Sequence, residues 1–386
     1  MTDNVVTILD ADRRMALPAG ELRCTGPAGA SSAGIRWTTL RGGLSEGVQV
    51  VEIDSGRMNF SILPSRGMGL WRGRLVDLPI GWNSPVERPV HPGFVNLTER
   101  NGLGWLHGFN ELLCRCGLGF NGPPGQDEGE QITLHGRIAN LPAHEVTASI
   151  DGDLLTVRGV VDEASMFGTR LRLTSTYTVQ FGGTHCSITD EITNLAGRPA
   201  TLSLLYHINV GRPFLEPGGR FHVPFHEMAP RDPRAAEGID NYPVYGSPDP
   251  DYAEQAYFVR PLADGEGWST AVLENAGGSA ALAVHYNTHQ LPYFTVWKNT
   301  IAESDGYVTG LEPSVNFPNF RSFEREQGRL PLLPPGATYR SELRLEAAAT
   351  PDDVRRLVGR VETLQGTATP TIHREPLPTF SPAGRK

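Results

Sequence analysis

The chain is patterned in short runs of alternating hydrophobic and polar residues. In residues 169–181 the apolar side chains fall at every second position, at Leu171, Leu173, Tyr177, Val179 and Phe181. This period of two predicts a half-buried antiparallel strand. The runs VQVVEID, MNFSIL, LLTVRGVV and THCSITDEIT repeat the pattern, and each is closed by Gly, Pro, Asn or Asp. Many strands with few helices between them predict an all-β sandwich or barrel rather than alternating strands and helices.

One helix is predicted near the C-terminus, in TPDDVRRLVGRVETLQG. Thr350 is suited to cap it, Pro351 to stand at its first position and Gly366 to end it. The apolar residues fall on one stripe, at Val354, Leu357, Val361 and Leu364. Residues beyond it are rich in proline and are expected to be extended or disordered. We therefore predict an N-terminal extension at 1–20, a single β domain at 21–366 and a C-terminal tail at 367–386.

Composition narrows the class of protein. The 386 residues carry a net charge of −9 without a Lys/Arg cluster, which argues against a nucleic-acid partner. No apolar run approaches a membrane span, and the N-terminus lacks a secretory pattern, so a soluble cytoplasmic protein is expected. The cysteines are expected to be reduced and lack metal-ligand spacing. HVPFHE resembles a metal motif, but on a strand His222 and His226 lie too far apart to share an ion, and Pro224 argues against a helix. Since dinucleotide and phosphate-loop motifs are also missing from the sequence, no cofactor and no metal is predicted.

Polar residues interrupt the apolar strand ATLSLLYHINVG. Alternate residues from Leu202 to Val210 form a core face, whereas Ser203, His207 and Asn209 share the other face with Leu205. This arrangement fits a concave, partly wet surface that could hold a ligand. The alternative is that this face simply meets solvent.

A second candidate is Glu312, in DGYVTGLEPSVNF. Gly310 stands two positions before it on the same face of the predicted strand and leaves room for a group to approach the carboxylate. Partial burial would raise the pKa of Glu312 and make it a general base. The alternative is an ordinary exposed glutamate.

A third group of polar residues lies near glycines that permit close backbone approach. Asn110, Arg115, His135 and Arg137 supply hydrogen-bond donors without many carboxylates, which suits sugar hydroxyls and a developing alkoxide. His135 and His107 both stand in His-Gly pairs. The aromatic neighbours of His107 suggest a packed turn instead of a site.

The motifs together resemble a known family. The similarity lies in the runs GLGWLHGFNELLCRCGL, LHGRIANLPA, YHIN, EQAYF, LPYFTVWKN and YVTGLEPSVNF. The chain is similar to the DUF4432 group of aldose 1-epimerase-like proteins, within the galactose mutarotase-like superfamily. The resemblance covers about residues 45–345. It implies a β-supersandwich of large antiparallel sheets with a sugar site on the concave face.

The resemblance also implies roles for individual residues. His135 matches a histidine that contacts substrate, His207 the general acid and Glu312 the general base. Glu254 and Gln255 stand where an Asp-His pair binds sugar hydroxyls, and Arg115 matches an upstream arginine. Trp297 is placed to stack on the sugar, or else belongs to the core. An N-G-x-N motif before Leu-His-Gly is replaced by DEGEQIT, which affects the expected substrate more than the fold.

The activity implied is interconversion of the anomers of a free sugar or sugar derivative, with a small carbohydrate as the partner. Glu312 would take the proton of the anomeric hydroxyl while His207 protonates the ring oxygen. Two alternatives stay open: a carbohydrate-binding protein without activity, and an epimerase or lyase that uses the same pair on a keto- or uronic sugar. The oligomeric state, monomer or homodimer, is not determined by the sequence.

Overall fold

The alternating runs form the strands of two large sheets in the computed structural model, which describes residues 4–24 and 32–385. The strands of the first half are β1 (Asn4–Asp10), β2 (Met15–Ala16), β3 (Ala19–Cys24), β4 (Ala33–Thr39), β5 (Gln49–Asp54), β6 (Met58–Leu63), β7 (Gly69–Leu75), β8 (Leu78–Ile80), β9 (Leu113–Leu118), β10 (Gly125–Asp127), β11 (Glu130–Ile132), β12 (Glu145–Asp151), β13 (Leu154–Ala164), β14 (Arg170–Gln180) and β15 (His185–Asn194).

Most strands of the second half continue these two sheets. Its strands are β16 (Ala200–Thr201), β17 (Ser203–Val210), β18 (Arg220–His222), β19 (Phe225–Pro230), β20 (Gln255–Pro261), β21 (Trp268–Glu274), β22 (Ala281–Asn287), β23 (Tyr293–Asn299), β24 (Val308–Ser314), β25 (Leu332–Leu333), β26 (Thr338–Ala348) and β27 (Thr371–Ile372). The α-helices of the described residues are α1 (Glu99–Gly102), α2 (Pro233–Ala236), α3 (Arg321–Glu326) and α4 (Pro351–Gln365). In the described part of the chain, no helix is long and apolar enough to cross a membrane.

The ten-stranded sheet has the order β18-β21-β22-β26-β15-β14-β13-β12-β1-β2. The thirteen-stranded sheet has the order β27-β19-β20-β23-β24-β17-β9-β7-β6-β5-β4-β3, with β8 added beside β7. Neighbouring strands are antiparallel, except that β27 runs parallel to β19. The predicted all-β class and sandwich architecture are confirmed.

The main core lies between the two sheets. Leu171, Leu173 and Tyr177 of β14 are fully buried there, as the alternation predicted, and they meet the apolar face of β17 with Tyr206 and Ile208. Burying these side chains is the main stabilising contribution to the sandwich. The opposite face of β17, which carries His207 and Asn209, points away from this core.

The C-terminal helix packs on the outer face of the ten-stranded sheet. Val354, Leu357 and Val361 of α4 are buried against β21 and β22. The Thr350 side chain accepts a hydrogen bond from the backbone N–H of Asp353 and so caps the helix. The predicted start and end of this helix are confirmed, and so is its apolar stripe, except that Leu364 is only half-buried.

Both terminal segments join the sandwich. Within the predicted 1–20 extension, β1 pairs with β12 over six residue pairs and so adds a strand to the ten-stranded sheet. The tail predicted at 367–386 contributes β27 and buries Phe380, which is only 4% exposed. Neither segment could be assigned by alternation alone, since both are held by contacts with strands distant in sequence.

Candidate functional site

Three neighbouring strands place the candidate residues on one face. In the register of β23, β24 and β17, Trp297 lies opposite Gly310 and Gly310 opposite Asn209, while Thr295 lies opposite Glu312. Side chains alternate along a strand, so these residues share the face turned away from the core between the sheets. Residues far apart in the sequence therefore meet in one patch.

Loops cover this patch and turn it into a pocket. All eight residues of β17 are buried, because the segment around Trp105 and Phe109 packs over the face that alternation had left open. A pocket of about 800 Å³ remains, and its lining includes His207, Glu312 and His135. The predicted concave, ligand-sized surface is thus enclosed by protein on several sides.

His207 and Glu312 are in direct contact at the centre of the site. The distance from His207 Nε2 to Glu312 Oε1 is 3.2 Å, and both side chains are almost fully buried. Gly310 makes this contact possible, since a Cβ there would lie 2.3 Å from Glu312 Oε1 and 3.3 Å from His207 Cε1. The sequence predicted that Gly310 leaves room for a group beside Glu312, and in the structure the Glu312 carboxylate itself fills that room.

Asn209 fixes the position of one proton on His207. Its side-chain amide donates to the backbone oxygens of Glu111 and His207, so Asn209 Oδ1 faces His207 Nδ1 at 2.6 Å and accepts a hydrogen bond from it. His207 Nε2 then presents a lone pair to Glu312 unless the ring is doubly protonated. A favourable contact with neutral His207 requires a protonated Glu312 carboxyl group that donates to Nε2.

Burial favours the neutral form of both groups. Desolvation is the main cause that lowers the pKa of His207 to about 3, with the nearby His135 lowering it further. Desolvation also raises the pKa of Glu312 well above its usual value, and the charge of Glu254 adds to this effect. Both shifts, together with the geometry at His207 Nε2, favour a neutral pair with its proton on Glu312 over an ion pair.

His135 presents an acceptor to the pocket. Its Nδ1 lies 2.8 Å from the backbone oxygen of Asn121 and donates to it, which leaves Nε2 as an acceptor in the neutral ring. Burial lowers the pKa of His135 to about 4, so the neutral form prevails at pH 7. The backbone of His135 is in the left-handed region, with φ of 57°, and Gly136 follows it with φ of 72°.

A hydrogen-bonded chain forms another part of the wall. Trp297 Nε1 donates to Glu254 Oε2 at 2.6 Å, and Arg231 Nη2 donates to Glu254 Oε1 at 2.9 Å. Arg231 also donates to Asp232 at 2.8 Å. The Trp297 ring stands 5.3 Å from the His207 ring. Trp297 and Glu254 thus lie where the sequence analysis expected them, at the site and in contact with each other.

The structure does not bring Arg115 into the pocket. Its guanidinium is buried between the sheets, where it donates to Asp190 at 2.5 and 2.9 Å and to Ser175 at 2.7 Å. Arg115 alternates with Cys114 and Cys116, and those two side chains take the pocket side of β9. The assignment of Arg115 to substrate contact is corrected: this arginine neutralises a buried aspartate in the core.

Three other predicted contacts also lie away from the pocket lining. Ala256 faces the pocket, so the adjacent Gln255 points to the other side and binds the backbone oxygen of Arg234. Asn110 donates to the backbone oxygen of Val86. Arg137 is exposed. These positions correct the expectation of sugar contact for Gln255, Asn110 and Arg137.

The two His-Gly pairs differ as expected. His107 is 39% exposed and lies near Glu99, whereas its neighbours Trp105 and Leu106 line the pocket. His135 lines the pocket directly, with its ring 4.8 Å from that of Trp105. Only His135 of the two reaches the site.

Sequence reasoning missed several residues of the wall. Arg231 follows β19 in a loop without a recognisable motif, and Trp82 and Phe109 gave no periodic signal. Ser381, Pro382 and Ala383 come from the tail that was predicted to be extended or disordered. Their shared location depends on tertiary packing, which no local pattern encodes.

The fold and the pocket define a galactose mutarotase-like sandwich with a buried His-Glu pair on one sheet. Residues 45–347 match the model of the family described as "Domain of unknown function (DUF4432)", and the chain belongs to that family. A search among curated proteins finds no match.

Solved structures agree with this fold. The crystal structure of a "putative aldose 1-epimerase" from Klebsiella pneumoniae is 30% identical, with a TM-score of 0.93, and the match covers 97% of this chain and 99% of that chain. A galactose mutarotase-like protein from Clostridium acetobutylicum is 16% identical, with a TM-score of 0.59 over 82% of this chain and 99% of that chain. A GalM/aldose epimerase homologue from C. elegans is 13% identical, with a TM-score of 0.51 over 78% and 99%. The last two similarities concern the fold alone.

Proposed function

We propose that the protein is an aldose 1-epimerase-type isomerase that interconverts the anomers of a sugar by opening and closing its ring. The observation that carries this proposal is the contact between His207 and Glu312, which lie 3.2 Å apart in the lining of the pocket. Ring opening needs one group that removes a proton and another that supplies one, side by side. This pair holds one proton and can place it on either member.

The proton count of the pair matches the reaction. With a cyclic sugar bound, Glu312 acts as carboxylate and takes the proton of the anomeric hydroxyl, while protonated His207 gives its proton to the ring oxygen. The bond between the anomeric carbon and the ring oxygen breaks, and a carbonyl forms. The pair is then protonated Glu312 and neutral His207, which is the state favoured by burial without a ligand. Rotation and the reverse transfers close the ring to the other anomer.

The surrounding residues would orient the sugar. His135 Nε2 can accept a hydrogen bond from a hydroxyl, because its Nδ1 is already bound to Asn121. Trp297 offers a ring face close to His207, and Glu254 holds the indole in place. Fixing the sugar against the pair in this way lowers the entropic cost of the transition state.

The test is anomer interconversion measured by polarimetry or exchange NMR on a panel of aldoses. The protein should accelerate the reaction over buffer for at least one sugar, and Glu312→Gln and His207→Gln should each lower kcat by about 10²-fold or more. Matched controls are Glu375→Gln and His226→Gln, which alter exposed residues outside the pocket. Sugar binding without acceleration over the whole panel would refute the proposal and leave a binding protein.

Deuterium exchange at carbon distinguishes anomer interconversion from the second enzymatic alternative. Anomer interconversion leaves every carbon–hydrogen bond intact, whereas epimerisation or elimination on a keto- or uronic sugar exchanges a carbon-bound hydrogen with solvent. Deuterium incorporation at carbon in D₂O, lost in Glu312→Gln, would replace the proposed reaction with that alternative.

A further inference from the structure

The C-terminal segment, residues 367–385, runs back across the molecule to the pocket. It pairs with the edge of the thirteen-stranded sheet through β27, and Phe380 is then buried against Ala229, Phe258 and Phe317. Its residues lie outside the 45–347 range that matches the family model. The segment is therefore a feature of this chain beyond the family's matched region.

The end of this segment forms part of the pocket wall. Ser381, Pro382 and Ala383 line the pocket, and Ser381 Oγ donates to the backbone oxygen of Arg231 at 2.5 Å. Asn319 Nδ2 donates to the backbone oxygen of Phe380 at 2.8 Å. Both Arg231 and Asn319 line the pocket themselves. The segment is thus fixed to two wall residues, and its hydrogen bonds do not involve His207, Glu312 or His135.

The pocket is larger than one sugar ring requires. If each of the twelve non-hydrogen atoms of a hexose is given the volume of about 30 Å³ that a water molecule occupies in the liquid, the sugar fills roughly 360 Å³. The pocket has about 800 Å³, so more than half of it is left when one ring lies against the His207–Glu312 pair. A second group of about the size of a sugar ring fits in that remainder.

The charges that line the pocket favour an uncharged second group. Arg231 already binds Asp232 and Glu254, so its charge is balanced by two carboxylates. Arg100 and Asp305 also line the pocket and carry opposite charges. Apart from Glu312, the lining carries two arginines and three carboxylates, so a phosphate or carboxylate substituent would gain little attraction.

We infer that the substrate is a reducing sugar that carries an uncharged, ring-sized substituent, such as a reducing disaccharide, and that the C-terminal segment forms the subsite for this substituent. This inference rests on the proposed function for the reacting ring. It assigns to Ser381–Ala383 the selection between substituted and unsubstituted sugars. The reacting pair, His207 and Glu312, selects only the free anomeric hydroxyl.

The experiment introduces bulk at the wall without removing an anchoring contact. Ala383 is exposed and lines the pocket, so Ala383→Trp should fill part of the proposed subsite. The control Glu375→Trp adds the same side chain to an exposed position of the same segment outside the pocket. For each protein, kcat/KM is measured by polarimetry and Kd by tryptophan fluorescence, with glucose, galactose, maltose, cellobiose and lactose. Thermal unfolding checks that all variants fold.

The wild-type protein should prefer at least one disaccharide over its component monosaccharides by tenfold or more in kcat/KM. Ala383→Trp should lower that preference at least tenfold, mainly through KM, while Glu375→Trp leaves it unchanged. A preference that Ala383→Trp does not change, or a wild-type preference for monosaccharides, would overturn the inference. If no sugar is converted, the proposed function fails, and the Kd ratios decide the inference alone; if no sugar binds, both fail.

Discussion

Replacing either member of the His207–Glu312 pair should make stability depend on pH, and in opposite directions. We expect the folded pair to hold one proton, because burial lowers the pKa of His207 to about 3 and raises that of Glu312 well above its usual value. In the unfolded chain the ordinary values are 6.5 for histidine and 4.5 for glutamate, so between these values the pair also holds one proton. The contributions of the two groups to the pH dependence therefore cancel in this window.

Each single variant removes one half of this cancellation. In Glu312→Gln, His207 binds a proton only in the unfolded chain, so the free energy of unfolding rises as pH increases from 4.5 to 6.5. In His207→Gln, Glu312 keeps its proton only in the folded protein, so the free energy of unfolding falls over the same range. Each effect amounts to about 2 kcal/mol across the window, from about 1.4 kcal/mol per pH unit for one fully displaced proton.

The assay is urea unfolding followed by tryptophan fluorescence at several pH values and constant ionic strength. The double variant His207→Gln/Glu312→Gln supplies the baseline, since all other titrating groups contribute equally to the three proteins. The two single variants should differ by about 4 kcal/mol in their change over the window. Slopes of the same sign, or slopes equal to the baseline, would refute the assignment of one shared proton to a neutral pair.

Three further outcomes test other parts of the structure. Gly310→Ala should lower kcat for anomer interconversion at least tenfold, since its Cβ displaces the neighbouring carboxylate, whereas Gly197→Ala, with nothing within 4 Å, should not; equal rates would contradict the site geometry. Arg115→Met should lower the free energy of unfolding by roughly 3–5 kcal/mol in urea titrations because Asp190 stays buried without its partner, and partial recovery with Asp190→Asn checks the cause. Thr350→Ala should cost about 1 kcal/mol in the same measurement through loss of the helix cap, and no loss would contradict the capping contact.

The local periodicity of the sequence was enough to place the catalytic candidates. His207 alternates with a clearly apolar series, so its face of β17 followed from the chain itself, whereas the room expected beside Gly310 is filled by the Glu312 carboxylate. The resemblance to a family then added Glu254 and Trp297 to His135, and all three line the pocket. Their roles in binding and catalysis stay predictions until sugars are tested.

The same reasoning failed for Arg115 because β9 is buried on both sides. Alternation shows that Arg115 and the neighbouring cysteines face opposite ways, but it does not reveal which face meets the core and which meets the pocket. The answer depends on Asp190, which lies on the other sheet and 75 positions later. Gln255 was misplaced for a similar reason, since Ala256 beside it takes the pocket side.

The sequence by itself determined the all-β class, the strand faces of the core and the ends of α4, because each depends on neighbours within a few residues. Only the tertiary structure decided that the loop around Trp105 covers the site, that Glu312 and His207 are in buried contact, and that Ser381–Ala383 form a wall. These features arise from burial and from contacts between distant segments. Burial sets the pKa values, and distant contacts fix the tail, so neither can be read from a local pattern.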